Sequence, residues 1–99
     1  MASETISNPI SFVIKNVIAA GTDINTIKNV GLYQLYGNRN YLNTPEQFGV
    51  LVVLRAIPGS TNLEVCQIIL GVDGTVRYRM YFADSTGWRP WYKFTMTAV

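Results

Sequence analysis

The clearest hydrophobic pattern in the chain is a strict alternation over residues 75–82. One face of this segment is apolar and the other carries polar and aromatic side chains: Val76, Tyr78, Met80 and Phe82 against Thr75, Arg77, Arg79 and Tyr81. A period of two residues is typical of a β-strand, because successive side chains point to opposite faces of a sheet. The pattern therefore predicts a strand over residues 75–82.

The residues before this strand predict a tight hairpin. Residues 63–70 are also strand-like, and the sequence Gly71-Val-Asp-Gly74 separates the two segments. An Asp-Gly pair favours a two-residue turn, because it accommodates the positive φ angles that such a turn needs. The sequence thus predicts that Asp73 and Gly74 join two antiparallel strands.

Three further segments have the composition of strands. Residues 31–36 alternate between two faces, and residues 88–97 form a final strand after a turn at 83–87. Residues 49–57 are almost continuously apolar, which predicts a strand covered on both faces, by a second sheet or by another subunit. Residues 10–20 fit a strand or a short helix, and their β-branched side chains favour the strand.

The connections between these segments are polar. Residues 21–27 are turn-forming, and residues 37–48 form a loop that, at about a dozen residues, is longer than ordinary hairpin loops. Short strands at about ten-residue spacing, without an amphipathic helix pattern, predict an all-β fold. We expect one sandwich-like or barrel-like domain of short antiparallel strands over residues 21–99, preceded by a tether or connecting strand over residues 1–20.

The composition changes this picture by indicating a partner. Of the 99 residues, 48% are apolar and only 14% are charged, whereas an average soluble domain has about 25% charged residues. A domain of this size buries only about 60–65% of its unfolded surface, so its own core is thin. The excess apolar surface favours association, most simply with copies of the same chain. The alternative is a compact monomer with an uncharged polar surface.

Charge and residue content argue against several classes of function. A net charge of +2 without a dense basic run is unlike a nucleic-acid binder. The chain has no histidine, and its one cysteine, Cys66, lies in an apolar strand pattern and is expected to be a buried thiol. We therefore expect no catalytic thiol, no metal centre and no cofactor. No secretion signal and no apolar run of about 20 residues is present, so membrane insertion is not expected.

Seven short motifs follow one another in a characteristic order. They are Asp23-Ile-Asn-Thr-Ile27, Gly31-Leu-Tyr33, Asn43-Thr-Pro45, Gly49-Val-Leu-Val-Val53, Val65-Cys-Gln67, Tyr78-Arg79 and Trp88-Arg-Pro-Trp91. In order and spacing, over residues 23–94, they resemble the C-terminal knob domains of phage tail fibres and pyocins. The resemblance implies a homotrimeric knob over residues 21–99, with residues 1–20 as a tether or shaft-connecting strand. The shaft of a full fibre is absent, which fits a fragment or a truncated product.

The resemblance also implies a function. It suggests the receptor-binding tip of a tail fibre, assembled in the host cytoplasm and carried outside the cell on the virion tail. Such a tip adheres to a bacterial surface glycan, such as lipopolysaccharide, or to a surface protein. The alternative is a structural cap that trimerises and folds the fibre without touching a receptor. Enzymatic activity is not expected, because nothing in the sequence places two of the scattered carboxylates together as a glycosidase pair.

Receptor contact is expected mainly in the polar loop, where aromatic rings lie among planar hydrogen-bonding groups. The predicted contact residues are Asn38, Arg39, Asn40, Tyr41, Asn43, Arg77 and Trp88. Arg77 would grip an acidic sugar or a phosphate, whereas Arg79 is expected in a structural ion pair with a neighbouring subunit. Three alternatives remain: ordinary loop chemistry for the loop, an ion pair with an acidic residue of a neighbouring subunit for Arg77, and a place in the core or the subunit interface for Trp88. Trp91 is expected to be structural.

Overall fold

The computed structural model describes residues 16–55, 64–83, 87–95 and 97–99. These residues form a seven-stranded β-sheet, in the order β1-β2-β3-β4-β5-β6, with β7 beside β6 on the same edge of β5. The strands are β1 Asn16–Val17, β2 Gly31–Tyr36, β3 Phe48–Arg55, β4 Val65–Gly71, β5 Val76–Phe82, β6 Gly87–Trp88 and β7 Tyr92–Lys93. Only β1 and β2 are parallel; all other pairs are antiparallel.

The register of the four central strands divides their side chains by parity. Leu51 pairs with Tyr33 on one side and with Ile69 on the other, and Arg79 pairs with Gln67. Because odd-numbered residues always face odd-numbered partners, all of them point to one side of the sheet. We call this side the inner face, and the side with the even-numbered residues of β2–β5 the outer face.

The hydrophobic core lies on the inner face, under two segments that cover it. One segment follows β1 and contains a 3₁₀ helix, Ile24–Thr26; the other is the loop between β2 and β3. The segment after β1 contributes the buried side chains of Ile18 and Ile24, and the loop contributes Tyr41. The strands supply the remaining buried hydrophobic residues, Leu35, Leu51, Val53, Val65 and Ile69.

The all-β prediction is confirmed at the level of the strands. Segment 31–36 matches β2, and the strands predicted over 49–57, 63–70 and 75–82 correspond to β3, β4 and β5. The described residues form one sheet rather than two, so the sandwich or barrel stays a prediction. Of residues 10–20, those before Asn16 lie outside the described part of the chain.

Two local predictions were wrong. The final strand over 88–97 is in fact two short strands, β6 and β7. The β4–β5 hairpin loop holds three residues rather than two: Gly71 N donates to the Thr75 carbonyl at 2.8 Å, and Gly74 N donates to the Gly71 carbonyl at 3.0 Å. Within this hairpin loop, Gly74 is the residue with a positive φ, of 87°. Val72 and Asp73 form the turn, and Gly74 is the left-handed residue that returns the chain to β5.

Cys66 differs in part from the prediction. Its thiol lies on the outer face, opposite Met80, and it is partly exposed rather than buried. The partial burial raises the pKa of this thiol above its ordinary value, because desolvation disfavours the thiolate. Cys66 therefore stays mostly protonated at neutral pH, which agrees with its expected role as a small hydrophobic residue.

Candidate functional site

The loop between β2 and β3 is shaped by four left-handed residues. Gly37, Asn38, Asn40 and Asn43 have φ angles of 89°, 44°, 56° and 59°. Asparagine tolerates this region better than other residues with a Cβ atom, which explains why asparagines recur in the loop. The resulting tight path leaves Asn38, Arg39 and Asn40 exposed at the tip.

Tyr41 fixes this loop to the sheet. Its hydroxyl donates to the Ile18 carbonyl at 2.7 Å and accepts from the Tyr36 N–H at 3.2 Å. The side chain of Gln47 closes the loop, since its amide accepts from Tyr41 N at 2.8 Å and donates to the Tyr41 carbonyl at 3.0 Å. Tyr41 is only 4% exposed, so it supports the loop from below and offers no surface to a ligand.

Asn43 joins the loop to the segment that follows β1 and contains the 3₁₀ helix, which we call the covering segment. Its amide donates to the Asp23 carboxylate at 2.8 Å, and the same carboxylate accepts from Asn25 N at 2.9 Å. These two hydrogen bonds hold the pKa of Asp23 below its ordinary value, because they stabilise the ionised form. Two backbone hydrogen bonds add to this connection: Ile24 N donates to the Leu42 carbonyl, and Leu42 N donates to the Thr22 carbonyl, both at 3.0 Å. The side chain of Asn43 is thus already engaged within the chain.

The exposed part of the loop continues into an aromatic surface on β2 and β3. The Arg39 guanidinium lies 4.6 Å from the centre of the Tyr36 ring, and Tyr36 pairs across the strands with Phe48. Both rings are about half exposed, at 51% and 46%. We call the surface formed by Tyr36, Asn38, Arg39, Asn40 and Phe48 the loop patch.

Arg77 and Trp88 lie outside the loop patch. Arg77 forms an ion pair with Glu46, at the base of the loop. Its charge is therefore already neutralised, and it braces the loop against β5. Trp88 contacts the covering segment, where its indole N–H donates to the Asn25 carbonyl at 3.1 Å. Of the seven predicted contact residues, the structure brings together Asn38, Arg39 and Asn40 at the tip.

A second cluster lies buried on the inner face, around Arg79. The guanidinium lies 3.9 Å from the ring centre of Trp88 and 4.4 Å from that of Trp91, and its Nε donates to the Gln67 side chain at 2.9 Å. Trp91 packs against the core, in agreement with its predicted structural role. The ion pair between subunits expected of Arg79 stays a prediction; among the described residues, Arg77 forms an ion pair with Glu46.

A bulge places both tryptophans beside Arg79. Trp88 pairs opposite Tyr81, whereas Tyr92 pairs opposite Tyr78, so residues 89–91 face only two residues of β5. A spacing of three would put the two indoles on opposite faces of a regular strand. The extra residue corrects this, and both indoles reach the inner face. In the sequence, the signal for this cluster is the Trp-x-x-Trp spacing with Pro90 inside it, which does not fit a regular strand with both indoles on one face.

Arg79 carries its charge in an unusual environment. It is 4% exposed, and burial lowers its pKa to about 10, with the nearby negative charge of Asp23 acting in the opposite direction. At neutral pH the guanidinium remains charged. The two aromatic faces and the Gln67 carbonyl stabilise that charge in the interior. The cluster is therefore part of the core and not a surface site.

Neither a metal-ligand cluster nor a membrane-spanning helix occurs among the described residues. They contain no group of three or more acidic, histidine or cysteine side chains placed to hold a metal ion. No helix within them has the length and apolarity to cross a membrane. Comparison of the chain with protein-family models, with curated proteins and with solved structures finds no match.

Proposed function

We propose that this chain is the receptor-binding tip of a phage or phage-tail-like tail fibre, and that the loop patch contacts the bacterial surface. The observation that carries the proposal is the combination of a rigid base with an exposed tip. Tyr41 and Gln47 fix the loop through four hydrogen bonds. A preorganised loop loses little conformational entropy when it binds.

The chemistry of the loop patch suits an acidic surface glycan. The exposed rings of Tyr36 and Phe48 offer flat apolar surface to the C–H face of a sugar. Arg39 supplies a fork of donors for a carboxylate or a phosphate, and Asn38 and Asn40 supply both donors and acceptors. Lipopolysaccharide, which carries sugars and phosphates, combines these features. A surface protein is the second class of receptor that such a patch fits.

A trimer on the virion tail would present three loop patches outside the cell. Weak contacts with single sugars would then add up to firm attachment. The resemblance to tail-fibre knobs and the low content of charged residues support this arrangement. The second candidate function, a folding cap at the end of the fibre, is favoured by the large apolar outer face, which needs a cover whether or not the loop binds a receptor.

Binding to purified bacterial glycans tests the proposal. We would measure binding of the fluorescently labelled chain to an array of lipopolysaccharides and capsular polysaccharides. Arg39→Ala should weaken binding about tenfold or more, by analogy with the loss of other charge-assisted contacts. Arg89→Ala is the matched control, because Arg89 is also exposed and lies over an aromatic ring, that of Phe82 at 5.1 Å. Its binding should be unchanged.

Two results would contradict the proposal. One is a folded Arg39→Ala variant that binds like the parent protein. The other is a parent protein that binds neither the array nor intact bacteria, which would leave the folding cap as the function. Tyr41 is not a useful target for this test, because its substitution would remove the support of the loop together with any contact.

A further inference from the structure

The outer face of the sheet is apolar from one side to the other. The even-numbered residues of β2–β5 include no charged side chain, and Gln34 is the one amide among them. Tyr78 continues the surface onto the last part of the chain, where its ring lies 5.7 Å from that of Tyr92 and 5.2 Å from that of Phe94. The surface thus spans β2 to β7 without a charge at its centre.

Within the described part of the chain, this face has no cover. Leu54 and Leu70 on the outer face are 46% and 45% exposed, whereas Leu51 and Ile69 on the inner face are fully buried. Tyr92 at the far side is 53% exposed. Contiguous apolar patches of this kind are rare on monomeric proteins, and they mark contact surfaces.

The size of the face matches that of a stable interface. Five strands at about 4.8 Å spacing and about seven residues at 3.3 Å each give a plan area of roughly 550 Å², before side-chain relief is added. A standard interface buries about 800 Å² on each partner. The face alone therefore supplies an area of the right order.

The charge distribution favours a second copy as the partner. The centre of the face has no cation to attract a nucleic acid or an anionic lipid, and no acid to attract a basic protein. The nearest cations stand at opposite corners, where Arg39 lies over Tyr36 and Arg89 over Phe82. An identical face brings no unpaired charge into the contact, and its corners form the polar rim that interfaces between proteins show.

We propose that copies of this chain associate through their outer faces. The inference deepens the proposed function, because it names the surface that would hold three loop patches together, and it relies on that function only for the number of copies. It also explains why β3 is apolar on both sides: the inner side packs in the core and the outer side against another copy. The two-sided cover predicted for residues 49–57 is then supplied between chains.

A pair of leucine substitutions tests the proposal. Leu70→Lys puts a charge on the outer face, and Leu42→Lys puts the same charge on the covering loop, where Leu42 is similarly exposed at 54%. In sedimentation equilibrium, the parent chain and Leu42→Lys should both have a multiple of the 11.1 kDa chain mass. Leu70→Lys should sediment as a monomer with an unchanged circular dichroism spectrum. A twofold mass would support the interface and overturn the proposed trimer.

The single cysteine gives a second measurement that needs no substitution. Because Cys66 lies on the outer face, association should slow its reaction with iodoacetamide. Dilution of the parent chain should then raise the reaction rate at least tenfold, up to the rate of the Leu70→Lys variant. A rate that is fast at all concentrations would overturn the proposal. So would slow labelling of a monomer at all concentrations, since it would show that the same chain covers its own outer face.

Discussion

At the scale of single residues, Gln67 links the sheet to the segment that covers it. Its amide nitrogen donates to the carbonyls of Ile24 and Ile27 at 2.9 and 2.8 Å, and its carbonyl accepts from Arg79 at 2.9 Å. Gln67 is fully buried, so its side-chain amide cannot turn to water instead. One side chain thus satisfies two carbonyl groups and one cation of the interior.

Gln67→Met should therefore destabilise the fold strongly. Methionine has a similar volume but cannot form these bonds, so three hydrogen bonds would be lost: the buried Arg79 Nε would lose its Gln67 acceptor, and the Ile24 carbonyl would keep only the 3.2 Å bond from Ile27 N. We expect the free energy of unfolding to fall by about 2–4 kcal/mol, measured by urea denaturation at one fixed protein concentration. Gln34→Met, on the outer face, is the control and should not lower stability. Equal effects of the two changes would contradict the role assigned to Gln67.

The ionisation of Asp23 should make the free energy of unfolding depend on pH. Its folded-state pKa lies below the ordinary 3.8, so the unfolded chain binds a proton more readily. The stabilisation from its charge is present above the unfolded pKa and is lost as the pH falls through the folded pKa. Asp23→Asn keeps an acceptor but removes the charge. The parent should be more stable than this variant at pH 6, and urea denaturation should show the gap narrowing as the pH drops toward 2. A gap that stays constant would rule out this coupling.

Sequence patterns identified the two faces of β5 but not which one is buried. Residues 75–82 show an apolar even face and an odd face with two arginines, and alternation alone would bury the apolar one. The structure buries Arg79 instead, since two indoles and the Gln67 amide surround it. Those partners are distant in sequence, so no local pattern reveals them. Tyr41 was misjudged for the same reason, because its hydroxyl finds the carbonyl of Ile18 across the fold.

At the scale of elements, local signals located the strands well and their connections less well. The Asp-Gly pair correctly marked the β4–β5 hairpin, but the sequence does not show that Val72 belongs to its loop. Whether the loop contains two residues or three depends on where the β4–β5 ladder ends, and hence on the pairing of whole strands. The broken final strand has a similar origin, because the position of the bulge depends on bringing both indoles to Arg79.

Gly74 offers a direct test of the hairpin geometry. A Cβ atom at this position would meet nothing within 4 Å, so substitution acts only through the backbone. Gly74→Val should lower the free energy of unfolding by about 1–2 kcal/mol, because a β-branched residue resists a positive φ. Gly74→Asn should cost clearly less, since asparagine accepts the left-handed region. Thermal melts that rank the two variants equally would argue for a different turn.

At the scale of the whole molecule, the loop patch lies at one corner of the outer face, with which it shares Tyr36 and Phe48, and the two surfaces have a joint effect. Leu70→Lys should leave each loop patch intact while it separates the copies. Binding to a densely coated lipopolysaccharide surface should then weaken about a hundredfold or more through loss of multivalency. Affinity for a soluble single-chain glycan, measured by calorimetry, should stay the same. Weaker binding in both measurements would show that Leu70→Lys disturbs the loop patch itself.

The edges of the sheet have a consequence for how such an assembly stops growing. In the described part of the chain, one edge is β1, two residues long, and the other is β6 and β7, two short pieces separated by the bulge. Pro90 has no N–H to donate there. Short, bulged and proline-containing edges are poor templates for a further strand. In the proposed association, copies stack through their faces, whereas the described edges disfavour strand-by-strand addition into a fibril.

Deleting Pro90 would remove this protection without disturbing a single cross-strand pair. The register of β6 would then continue without a break, and Tyr92 and Lys93 would keep their places opposite Tyr78 and Arg77. The variant should fold, yet present a long, regular edge that invites amyloid-like growth. The bulge that brings two indoles to one arginine thus also makes this edge of the sheet a poor template for a further strand.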